Sequence, residues 1–271
     1  IFSLITGSVV GLSYWVAAFT IGTAVRHSSQ ITRAVYPKLL SGGRKEYLQS
    51  NLIILIYFAF LFMAIAITFS KQALFILNPV YDVAVTAVIF ITLFSFIKML
   101  GSSFTLALQG IEKVDTTQST QKEYVKSKLF YLPSIRLIRR AVYLSTLGIG
   151  LFLLIQSNAS QIDLVVYWAI ILFVVEIPFT IYYYYLVRKN FPLYIDLISV
   201  TKYLAISSGV FSGIYLLMNE YLEYNSNIFE FIPILCFYLF LGIFSYLGLT
   251  YLSDKKTRKL FNSIIHVIFK K

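Results

Sequence analysis

Cysteine and histidine are almost missing from this chain, and charge of either sign is scarce. The single cysteine, Cys236, stands in an apolar run, which excludes a disulfide framework and a thiolate metal site. His27 and His266 are the only histidines, too few to form a metal-ligating cluster. Charged residues make up 13% of the 271 positions, about half the share of an ordinary soluble domain. Also missing are a glycine-rich phosphate loop, a serine nucleophile elbow and carboxylates paired at a useful spacing. No catalytic residue, metal site or cofactor is therefore expected, and the chain does not read as an enzyme.

What is present is hydrocarbon. Hydrophobic residues make up 58% of the chain, and the mean hydropathy is +0.77. The net charge of +11 could suggest nucleic acid, but the charges fall in short loops between apolar runs, so no nucleic-acid partner is expected. The fold class is all-α, a polytopic transmembrane helix bundle. Seven apolar spans are legible: Ile1–Val25, Asn51–Ser70, Asp82–Leu108, Ala141–Gln156, Ile162–Val187, Ile198–Met218 and Ile228–Leu252. All but the fourth reach the ~20 residues that a spanning helix needs. The fourth is short, although Pro133 and Ser134 offer a helix start upstream, with Arg136, Arg139 and Arg140 then snorkelling to the headgroups.

Basic residues give the orientation. The segments following the first, third, fifth and seventh spans, with Lys202 at the near end of the sixth span counted in the third of them, hold 21 of the 23 Lys and Arg. The intervening segments hold only Lys71, and Lys98 lies inside a span. This alternation places the N-terminus outside and the C-terminus inside. Residues 1–252 form the membrane bundle. Residues 253–271 form a basic tail, amphipathic over Thr257–Lys271, that suits a membrane surface. A direct test is labelling with an impermeant maleimide on intact cells. In a Cys236→Ala background, cysteine at Ser226 should label and cysteine at Ser119 should not; the reverse pattern would invert the topology.

Two spans carry polar residues at helical spacing. Thr6, Ser13, Thr20, Thr23, His27 and Gln30 share one face of the first, bordered by Arg26 and Arg33. Thr92, Ser95, Lys98, Ser102, Thr105 and Gln109 recur at steps of three and four along the third. Lipid disfavours such stripes, whereas a water-filled cavity or a packed neighbour accepts them. Lys98, Arg26, Arg33, Ser95 and Ser102 are thus the candidate substrate contacts. Glu176, beside Pro178 in the fifth span, is a candidate coupling residue or an ion-pair partner for Lys98. Gly7/Gly11 and Gly209/Gly213, each pair four apart, offer close helix approach.

Four patches resemble one family. Gly11 to Ala18 (GLSYWVAA) looks like the Gly-x-x-Tyr-x-x-Ala patch of polysaccharide and lipid-linked oligosaccharide flippases, and Ala34 to Ser41 (AVYPKLLS) resembles the segment that follows it. Asn78 to Ala84 (NPVYDVA) resembles the entry to their next helix pair, and Leu108 to Lys113 (LQGIEK) its exit. These are the Wzx-like members of the MATE-like superfamily. The likeness covers about Gly7 to Lys113; Asn78 stands where the family often has glycine, and Glu112 departs similarly. The resemblance implies one lobe, the C-terminal one, of a two-lobe transporter in the plasma membrane. It also implies alternating access, a polyprenyl-diphosphate-linked glycan as substrate, and an N-terminal lobe elsewhere in the same protein. Alternatives are a drug or metabolite exporter of that superfamily, a non-transporting membrane subunit of a glycan-synthesis complex, and a seven-helix receptor. A retinal protein is disfavoured, because Ile228–Leu252 has no lysine for a Schiff base.

Overall fold

The computed structural model describes residues 2–34, 46–110, 127–190, 195–224 and 227–269, with the side chains of 31–34, 46–47 and 263–269 left aside. Among these residues there is no strand. The helices are α1 (Phe2–Thr6), α2 (Val10–Gly22), α3 (Glu46–Thr68), α4 (Ser70–Leu77), α5 (Val85–Gly110), α6 (Lys128–Gln156), α7 (Gln161–Asn190), α8 (Leu197–Tyr221), α9 (Ile228–Ser253) and α10 (Lys255–Phe269). Two 3-10 segments, Ala24–Ala34 and Pro79–Ala84, join them. Helices α3, α6, α7, α8 and α9 are each long and apolar enough to cross a membrane, as is the continuous run Pro79–Gly110 that contains α5. The protein is a multi-pass membrane protein.

The first expected span is broken. Gly7 adopts φ 63, a left-handed turn that glycine enters without a Cβ clash. The turn separates α1 from α2, and beyond Gly22 the backbone tightens to 3-10 geometry. Thr6 therefore leaves the register of the polar stripe. The loop expected after α3 is also helical: α4 fills most of it, and Asn78 then caps the Pro79 turn by accepting the Val80 N–H at 3.0 Å. Helix α6 begins at Lys128 rather than at Pro133. The proline lies within its second turn, so the helix extends further upstream of the arginines than the proline suggests.

Helix α5 is the keel. Its first half (Ala87, Val88, Ile91) belongs to one apolar cluster with α1, α2, α6 and α7. Its second half (Met99, Phe104, Ala107, Leu108) belongs to another with α3, α8 and α9. Of the glycines anticipated at close approaches, Gly11 is one, since a Cβ there would meet the Phe2 ring at 2.5 Å, and two others join it. A Cβ on Gly22 would meet Ile91 at 2.7 Å and the Thr92 backbone at 3.1 Å, and one on Gly101 would meet Thr180 Oγ1 at 2.8 Å. Gly209 and Gly213 face open space instead. In the first cluster Trp168 stacks between Phe2 at 5.2 Å and Trp15 at 3.8 Å. In the second, Tyr246 donates to the Tyr57 carbonyl at 2.9 Å, and Tyr57 shares a 3.0 Å hydrogen bond with Thr250. These contacts tie α3 to α9 where both are dry.

One end of the bundle is closed by two aspartates. Asp196 caps α8 through the Ile198 and Ser199 N–H groups and accepts from Lys256 Nζ at 2.5 Å. The ammonium of Lys256 holds its carboxyl down at about 2. Asp254 lies between α9 and α10 and accepts from Tyr203 Oη at 2.7 Å and from the Thr257 N–H at 3.0 Å. Ser199 Oγ, 3.0 Å from Asp196 and 3.2 Å from Asp254, serves one of them at a time. Burial pushes the Asp254 carboxyl up, but hydrogen bonds from Tyr203, Thr257 and Ser199 outweigh it, leaving it below the usual range.

Asp254→Ala is expected to cost about 2 kcal/mol, roughly half for the lost cap and half for the hydroxyls left dry. The pH dependence follows from the depressed folded-state value. The stabilisation is complete above the unfolded-state pKa of ~3.9 and fades as the pH falls below it. Melting in detergent between about pH 5 and 3 should therefore shift more for the parental chain than for Asp254→Asn; parallel curves would assign Asp254 no part in acid stability.

Candidate functional site

The candidate site is built where α5, α6 and α7 meet. In α5, Phe94 and Lys98 are four residues apart and so share a face. In α6, Arg139, Arg140 and Tyr143 fall within one turn. In α7, Leu172, Val175 and Glu176 do the same. These eight residues line a cavity of about 190 Å³. Pro178 follows two residues after Glu176 and brings no N–H to the Val174 carbonyl.

Glu176 is 5% exposed, and its Oε1 accepts from Arg139 Nη1. This corrects the expected pairing: the cation on Glu176 is Arg139, while Lys98 lines the same cavity without reaching it. It also corrects Arg139 as a headgroup residue, because Arg139 turns into the bundle. Lys98 Nζ lies 5.1 Å from the centre of the Phe94 ring. The guanidinium of Arg26 lies 5.5 Å from that same ring and 5.1 Å from Phe19. One phenyl ring thus serves two cations, each drawn by its negative quadrupole. Nε and Nη2 of Arg26 are buried and have no hydrogen-bond partner among the described residues. The field at Lys98 combines Arg26, Arg139 and Arg140 with a single carboxylate, Glu176.

The structure brings together Lys98, Arg26 and Glu176 of the residues singled out in the sequence. It does not bring in Ser95 or Ser102. Ser95 is fully buried, its Oγ lacks a partner, and it does not line the cavity. Ser102 is exposed and donates to the Lys98 carbonyl at 2.8 Å, satisfied within its own helix. Arg33 falls in the first 3-10 segment, and its side chain lies outside the described residues. Thr92, on the same stripe, donates to the Val88 carbonyl at 2.7 Å. The stripe of α5 is therefore mostly packing, and of its residues only Lys98 lines the cavity.

Sequence reasoning missed Arg139, Arg140, Tyr143 and Phe94. A signal for the arginines existed: Arg136, Arg139 and Arg140 have the i, i+3, i+4 spacing of one helical face. Nothing in the sequence marks Phe94 among 24 phenylalanines. Tyr143 accepts from Trp168 Nε1, which couples the cavity to the aromatic stack on α1 and α2. Among the described residues no three His, Cys, Asp or Glu side chains are grouped to hold a metal. Chemically the arrangement can hold an anion: an excess of cations, two of them steadied by a ring, inside an apolar bundle. Comparison with protein-family models, with curated proteins and with solved structures finds no match to this chain.

Proposed function

We propose that the bundle is one lobe of a two-lobe transporter that carries a lipid-linked oligosaccharide or polysaccharide precursor across the plasma membrane by alternating access. The observation that carries this reading is the cation excess at Lys98: Arg139 and Arg140 line its cavity and Arg26 shares its Phe94 ring, against the one carboxylate of Glu176. Keeping that much like charge in a membrane bundle is unfavourable unless an anion visits. The cavity of about 190 Å³ is smaller than the ~300–1,000 Å³ of pockets that enclose a drug-sized ligand. It suits a phosphate-sized group, with the glycan and the lipid chain lying outside it. The mostly apolar open groove of α2, where Val16 is exposed between Ser13 and Thr20 and faces Leu77 and Tyr81, suits the side on which a second lobe would close.

The test is competition. In vesicles holding the chain together with its opposing lobe, transport of a polyprenyl-diphosphate sugar should be inhibited by polyprenyl diphosphate. A polyprenyl glycoside without phosphate should not inhibit. Equal inhibition by both would remove the anion from the mechanism. The glycan-export reading itself is tested in a flippase-deficient cell. The two-lobe assembly should restore export and the 271 residues alone should not; full export by the single lobe would overturn the two-lobe reading.

A further inference from the structure

A second cavity, of about 420 Å³, opens between α3, α4, α5 and α8. It is distinct from the cation cavity: Ile89, in its wall, precedes Lys98 on α5 by roughly 13 Å of helical rise. Three of its features ask for a ligand. Gln72 is 5% exposed, and its side-chain oxygen is buried with no hydrogen-bond partner. Such an acceptor is costly unless a hydroxyl or N–H reaches it. Lys71, the neighbouring residue, is exposed and has no ion-pair partner among the described residues; its ammonium rests 5.1 Å from the Tyr224 ring. On α8, Ser212 and Asn219 line the cavity and are exposed, so its open side is polar, while Ile89 and Phe211 give it an apolar floor.

A cation, an acceptor lacking a donor and an apolar floor define one ligand chemistry. We propose that this cavity binds the headgroup of an anionic, hydroxyl-bearing lipid, with its phosphate on Lys71, a hydroxyl donating to Gln72 and its hydrocarbon on the floor. Both a bilayer phospholipid and a lipid-linked sugar phosphate have this chemistry. The site does not depend on the cation cavity or on the transport assigned to it.

Two probes separate the sources: phosphatidylglycerol and a polyprenyl-phosphate hexose, each titrated into the detergent-solubilised chain against phosphatidylcholine as reference. The favoured probe should bind about tenfold more tightly than phosphatidylcholine, which has the phosphate but brings no hydroxyl to Gln72 and sets a choline cation beside Lys71. Whichever probe binds more tightly identifies the source. Lys71→Ala and Gln72→Leu should each bring its affinity down to that of phosphatidylcholine. Gln72→Leu should at the same time keep or raise the melting temperature of the lipid-free chain, because it removes a buried acceptor without a partner. A structural Gln72 would lose melting temperature and binding together, and that result overturns the proposal. So does equal affinity for all three lipids, or unchanged selectivity in both variants.

Discussion

Arg139→Ala should lower the stability of the folded bundle by about 3–5 kcal/mol, the cost of leaving one partner of a buried ion pair without the other. Glu176 would then be a carboxylate 5% exposed with its hydrogen-bond donor gone. Lys98 and Arg140 line the same cavity, so either could swing across and recover part of the loss. Adding Lys98→Ala to Arg139→Ala should therefore deepen it. Replacing the pair together, Arg139→Met with Glu176→Leu, should restore most of the stability, because two apolar side chains of similar volume need no partner. The measurement is unfolding in detergent, followed by helical circular dichroism. An Arg139→Ala chain that melts with the parental one, with Lys98 also removed, would mean that Glu176 is neutral or hydrated and that the pair contributes nothing.

The second large effect is on transport. With the opposing lobe present, Lys98→Ala should reduce export about tenfold or more, the loss of one charge-assisted contact. Lys98→Arg should keep part of the activity, because the charge matters more than its shape. Arg26→Ala should lose less, since its guanidinium acts across the Phe94 ring, and Arg33→Ala less again. Glu176→Gln separates coupling from support: a proton site loses transport at normal expression, and a mere partner of Arg139 mainly loses stability. Parental export by Lys98→Ala at normal expression would end its role as a substrate contact.

Much of the fold is legible in the sequence because a bilayer imposes a length and a charge rule on every span. Apolar runs such as Asp82–Leu108 and Ile228–Leu252 become α5 and α9 with ends shifted by only a few residues. The errors fall where one residue overrides hydropathy. Gly7 splits the first run by its backbone angle, and α6 starts at Lys128 and runs through Pro133, a proline that reads as a boundary. The site is less legible, for a geometric reason. Lys98 and Glu176 stand out because an ionisable group inside an apolar run is expensive. Arg139 does not stand out, because it sits in a basic stretch that reads equally well as a headgroup anchor. Only the rotation of α6 about its axis decides which way it points. Ser95 and Ser102 share a stripe with Lys98 on paper, but a helix surface is wide enough for one to be sealed in packing and another exposed.

The helices differ sharply in how much protein they touch. In α6 and α9 only 11% of the most apolar window is buried within the bundle, against 44% in the run that contains α5. A side chain facing lipid answers to hydrocarbon, which does not distinguish leucine from isoleucine or phenylalanine by shape. Through descent, the lipid-facing positions of α6 and α9 are then free to exchange one apolar residue for another almost without penalty, unlike Arg139, Arg140 and Tyr143 or the buried Leu151, Tyr246 and Thr250. Positions such as Ala87, Ala107 and Gly101 on α5 are held to the ångström. Two lineages of this protein would therefore drift apart letter by letter along most of their length while keeping the same hydropathy profile. Their kinship would survive in a few small residues on the central helix and in the arginines that face inward.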